Sequence, residues 1–86
     1  MTYQDIEQQL RDNLALQEVH VSGEGSHYNI IAVGDCFADL RPVKRQQLVY
    51  GPLKDAIADG SLHAVTIKTF TPAEWARDKK LLMPGL

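Results

Sequence analysis

The stretch HAVTIKTF, residues 63–70, alternates as a strand does and then runs straight into TPAEW, residues 71–75. His63, Val65 and Ile67 fall on one side of the strand, and Ala64, Thr66, Lys68 and Phe70 on the other. In the second stretch Thr71 is a capping residue, Pro72 has its φ pre-set for the first helical turn, and Glu74 can reach back to the Thr71 N–H. A strand joined to a helix with no linker rules out an all-helical bundle and an all-β sandwich. The same junction places one histidine, His63, at the mouth of an otherwise apolar strand edge.

The rest of the chain fits around this unit. Thr2 and Asp5 form a capping box with Asp in the Glu place, and Ile6, Leu10 and Leu14 recur on one face, so residues 3 to about 14 read as an amphipathic helix. The runs LQEVHVSG and HYNIIAVG, separated by a Gly-containing turn, read as a hairpin. DCFADL is short enough for one helical turn or a loop. PVKRQQLVYGPLKDAIADG then starts at Pro42 and stops at Gly60, with Val43, Gln47, Tyr50, Leu53 and Ile57 at helical spacing. Pro52 removes a backbone donor inside that pattern, which predicts a kink near Tyr50. The last helix is expected to reach about Lys80, leaving LLMPGL as a loosely docked tail. The order α-β-β-α-α-β-α with three strands predicts an α+β fold, with the helices on one face of a small sheet and the other face partly open.

Eighty-six residues suit one domain, 1–86, because two cores would each be too small to offset their conformational entropy. No run approaches the ~20 apolar residues of a membrane helix. The N-terminus MTYQDIEQQL lacks a basic flank followed by an apolar run, and a single cysteine cannot form an internal disulfide. A cytoplasmic location is the expectation from these features. The net charge of −2 argues against bulk affinity for nucleic acid, although eight of the nine basic residues lie beyond residue 40.

Motifs for phosphate loops, dinucleotide folds, HExxH metalloproteases and paired CxxC sites are absent, and an enzyme is not expected. Cys36 reads as a small, partly buried hydrophobe. The histidines His20, His27 and His63 match no structural zinc spacing, which would want about four ligands. Two readings of His63 and His27 stay open on spacing alone: ordinary rim or turn residues, or imidazoles completing the coordination of a metal that a partner brings. Arg41, Lys44 and Arg45, with two glutamines beside them, are either a solvated helix face or a set of phosphate and base contacts.

LQEVHVSGEGSHYNIIAV, VKRQQLVYGPL and HAVTIKTFTPAEWARDKKL, in this order, resemble the BolA family, in its bacterial IbaG/YrbA-like branch. The resemblance spans nearly the whole chain. It implies a class II KH-like domain of order α-β-β-α-α-β-α, and a non-enzymatic partner of monothiol glutaredoxin in [2Fe-2S] cluster binding, trafficking or iron and redox sensing. Such a cluster would be shared with glutaredoxin and glutathione, and the isolated chain, a monomer or weak homodimer, would carry none. The family's histidine ligand falls on His63. The second ligand, in the loop joining the first two strands, is expected at His27, with Glu24 behind it. The family pattern F-x-G-x-S keeps Phe37 but has Asp39 in the glycine place and Arg41 in the serine place. The alternative implied is a KH-like nucleic-acid-binding transcriptional regulator acting through Arg41, Lys44, Arg45 and Lys68. KH domains grip nucleic acid with a GXXG loop, which this chain lacks.

Overall fold

The computed structural model describes residues 2–25 and 27–82, with the side chain of Leu82 excepted. Helix α1 (Tyr3–Asn13) begins at the expected capping box: Thr2 Oγ1 accepts from the Asp5 N–H at 3.0 Å, and Asp5 Oδ2 accepts from the Thr2 N–H at 3.0 Å. Its face of Ile6 and Leu10 is fully buried. Strands β1 (Glu18–Glu24) and β2 (His27–Val33) form the antiparallel hairpin, turning through Gly25 at φ +63°. A single 3-10 turn (Asp35–Phe37) and helix α2 (Pro42–Ala58) carry the chain back to β3 (Ala64–Phe70), which pairs parallel to β2. A parallel neighbour needs such a crossover, because its start must be brought back to the same end of the sheet. Helix α3 (Pro72–Leu82) closes the order.

The fold is therefore α+β with a three-stranded mixed sheet in the order β1-β2-β3, the 3-10 turn standing for the first of the two middle helices. The core lies between α1, α2 and one sheet face: Ile6, Leu10, Val19, Ile30, Phe37, Val49, Leu53, Leu62 and Ile67. The helices are not all gathered there. Trp75 of α3 packs at 5.5 Å between ring centroids from His20 and at 5.2 Å from Phe70. Both rings alternate away from core-facing Val19 and Ile67, so α3 covers one end of the opposite face, where Val33 is also buried. The remainder of that face is open, a groove of about 480 Å³ bordered by Ser22, Asn29, Ile31, Thr66 and Lys68.

Helix α2 buries the expected face in its second half only. Leu53 is fully buried and Ile57 packs against the core as expected, whereas Val43, Gln47 and Tyr50 are exposed and Val49 takes a buried position instead. Val49 and Leu53, four apart on one stripe, are buried in the core with Ile6, Leu10 and Phe37, which sets the rotation of the helix. Gln46 Nε2, donating to the Ile67 carbonyl at 2.7 Å, and Arg45, paired with Glu74, tie the helix to the sheet and to α3 in that rotation. The helix runs through Gly51-Pro52 without interruption. The last helix extends two residues past Lys80, and residues 83–86 of the expected loose tail lie outside the described residues.

Candidate metal-ligand site

The pairing of β2 with β3 decides where the histidines meet. His27, the first residue of β2, lies opposite Glu24 on one side and Ala64 on the other. His63 directly precedes Ala64, just ahead of β3 rather than within it. With strands ~4.8 Å apart, the two histidine backbones are neighbours at one corner of the sheet. Both side chains are exposed, as is Glu24.

The two rings are held differently. His27, on the open sheet face, has its Nε2 2.8 Å from Thr66 Oγ1. Asn29 pairs with Thr66, so His27 and Thr66 are diagonal neighbours on one face. The His63 ring has no hydrogen-bond partner among the described residues. Its Cε1 lies 3.8 Å from where a Cβ on Gly60 would stand, so the ring sits beside the end of α2. Gly60, at φ +84°, supplies the left-handed turn that ends this helix and leads the chain back toward β3.

Two accessible imidazoles suit iron, which imidazole binds readily. They do not complete a site: among the described residues no group of three or more His, Cys, Asp or Glu side chains is arranged to hold a metal ion. Cys36 cannot add to the two imidazoles. It follows β2 at the far end, about 20 Å along the strand from His27, where burial pushes the thiol pKa up and its Sγ lies 3.2 Å from the place of a Gly34 Cβ.

The basic residues do not form one patch. Arg41 and Lys44 are exposed at the start of α2. Arg45 is largely buried: its Nη1 donates to Glu74 Oε1 at 2.7 Å and its Nε to the Leu40 carbonyl at 3.0 Å. Lys68 projects from the open face of the sheet, which α2 does not cover. Asp39, in the glycine place of F-x-G-x-S, has φ +64°, so the backbone there is left-handed although the residue is not glycine. Asp tolerates this conformation better than most residues do. Thr66 and Gly60 were not singled out by sequence reasoning. Thr66 read only as an outward strand residue, and the one signal, its distance of two residues from Ala64, acquires meaning once the β2–β3 register is known.

The family model for BolA-like proteins matches residues 3–74. The chain is 58% identical over 81 residues to the acid stress protein IbaG of Escherichia coli, an alignment covering 94% of this chain and 96% of that one. It is 43% identical over 53 residues to the DNA-binding transcriptional regulator BolA of Vibrio cholerae, covering 62% of this chain and 49% of that one. Among solved structures, the BolA domain of SufE1 from Arabidopsis thaliana superposes with a TM-score of 0.72 at 34% identity, covering 84% of this chain and 93% of that one. The chain belongs to the BolA family, and its similarity to IbaG places it in the IbaG-like branch. No helix among the described residues is long and apolar enough to cross a membrane.

Proposed function

We propose that this chain is a non-enzymatic partner of a monothiol glutaredoxin and that His63 and His27 ligate iron in a [2Fe-2S] cluster shared between the two proteins. The observation that carries the reading is the parallel register His27↔Ala64, which brings the backbones of two exposed histidines from distant parts of the sequence to one corner, the His27 ring on the open sheet face and the His63 ring beside the end of α2. Two imidazoles are too few to hold a metal alone, and their exposure leaves room for a partner to supply the remaining ligands. The cluster would supply iron centres for transfer or redox sensing. This chain's part is to present neutral imidazole nitrogens on a rigid sheet end. IbaG-like membership supports a partner role.

The test is to mix the purified chain with cluster-loaded monothiol glutaredoxin and follow the visible absorption and circular dichroism of the mixture. His63→Ala should abolish the histidine-dependent spectrum while the far-UV spectrum stays native, because an exposed rim imidazole contributes little to the core. His27→Ala should alter the spectrum more weakly. A bridged heterodimer with unchanged spectrum in His63→Ala would refute the assignment.

Nucleic-acid binding is the second reading, favoured by the similarity to a DNA-binding BolA protein. It is weaker here, since Arg45 is engaged by Glu74 and Lys68 lies on another face from Arg41 and Lys44.

A further inference from the structure

We infer that Thr66 is a positioning residue for His27: its hydroxyl oxygen accepts the Nε2–H of the imidazole, fixing the tautomer in which Nδ1 keeps a free lone pair as the ligating nitrogen. The inference rests on the reading of His27 as a ligand.

The geometry carries it in three steps. A neutral imidazole has one N–H and one lone pair, so the partner of one nitrogen decides the role of the other. Thr66 Oγ1 stands 2.8 Å from Nε2, within full hydrogen-bond distance, and no bond to Nδ1 is found among the described residues. A hydroxyl can accept or donate, so the 2.8 Å contact fits either tautomer; acceptance from Nε2–H, which leaves a lone pair at Nδ1 for a metal, is the direction inferred.

The backbone makes the arrangement stiff. Thr66 is β-branched, which restricts its χ1, and it sits inside β3, two residues beyond the cross-strand partner of His27. Outer hydrogen-bond partners of ligating histidines orient the ring and set the tautomer, and their loss typically costs 10–100-fold in metal affinity. The contrast with His63 is informative. That ring has no such tether among the described residues and sits instead beside Gly60 at the end of α2.

The experiment has two arms, each run on the wild-type chain, Thr66→Val and Thr66→Ser. In the free chain, long-range nitrogen–proton correlation spectra at mildly alkaline pH report the histidine tautomers. His27 should be the Nε2–H form in wild type and in Thr66→Ser, and a mixture in Thr66→Val, with His63 unchanged in all three. In the complex with cluster-loaded glutaredoxin, Thr66→Val should bind 10–100-fold more weakly, and Thr66→Ser should restore most of the loss.

An Nδ1–H tautomer for His27 in the wild type overturns the inference. So does a tautomer change in Thr66→Val with no loss of binding, or a loss with no tautomer change. Tighter binding in Thr66→Val also overturns it, because Thr66 would then be a latch withholding the ring. If the wild-type chain forms no cluster complex at all, the proposed function fails by itself. The free-chain tautomers then still decide whether Thr66 governs His27.

Discussion

Replacing Glu74 by Gln tests how the two ends of the α2–β3–α3 unit are joined. The Glu74 carboxylate accepts from Arg45 Nη1 at 2.7 Å and from the Thr71 N–H at 2.8 Å, while Thr71 Oγ1 accepts from the Glu74 N–H at 3.2 Å. One carboxylate thus completes the cap of α3 and ties that helix to the start of α2. These bonds, the Arg45 guanidinium first, hold its pKa down to about 2 from an ordinary 4.5. Taken in full, such a displacement corresponds to roughly 3 kcal/mol of stability at neutral pH. With 33% of the Glu74 side chain exposed, solvent screening brings this down to about 1–2 kcal/mol. A depressed carboxyl pKa contributes its stability in full above the unfolded value and loses it as pH falls through the folded one. The difference between wild type and Glu74→Gln should therefore be constant from pH 7 to about pH 5 and shrink between about 4.5 and 2, where protonated Glu74 resembles Gln. At pH 7 the melting temperature should drop by about 4–16 °C, given ~4–8 °C per kcal/mol for a domain of this size. The assay is urea and thermal unfolding followed by far-UV circular dichroism and by fluorescence of Trp75, the sole tryptophan, which sits in the adjacent turn. A stability difference that stays constant down to pH 3, or one below ~0.3 kcal/mol at pH 7, would refute the argument, since exposed ion pairs often contribute no more than that.

Three further outcomes are expected. Cys36→Ser should cost about 1–3 kcal/mol by urea unfolding, through partial burial of a hydroxyl, and leave the spectrum of the cluster mixture unchanged; the raised pKa also predicts slow reaction with an aromatic disulfide reagent at pH 8. Asp39→Gly should raise stability by about 0.5–1 kcal/mol, because φ +64° strains a side chain that glycine lacks, and a loss of stability would show that the Asp39 side chain makes a contribution of its own. The triple change Arg41→Ala, Lys44→Ala, Lys68→Ala, which spares structurally engaged Arg45, should leave the glutaredoxin complex intact. Tight DNA binding by the wild type in ~0.15 M salt that the triple variant loses would promote nucleic-acid recognition over the cluster reading.

What could be read from the chain alone was what depends on near neighbours. The two helix starts at Thr2/Asp5 and Thr71/Glu74 are closed by hydrogen bonds spanning three residues, so residue types at short spacing suffice to specify them. The alternation of HAVTIKTF and the hairpin before it follow from the two-residue period of a strand, and BolA membership followed from ordered stretches of sequence. Residues meeting across the fold were another matter. Helical spacing nominated Val43, Gln47, Tyr50, Leu53 and Ile57 for the core; Leu53 and Ile57 are there, but Val49 joins them in place of Val43, Gln47 and Tyr50, because the rotation of the helix is set by what it meets across the fold, Gln46 bonding Ile67, 21 residues away, and Arg45 bonding Glu74, 29 away. The same holds for α3, whose Trp75 reaches the second face of the sheet through rings on β1 and β3. At the candidate site both histidines were nominated from the sequence. The approach of their backbones at one corner, and the hold of Thr66 on His27 across 39 residues, exist only in the parallel register of β2 and β3. Register and helix rotation are set by contacts made after the chain has closed its loops, and no local pattern encodes them.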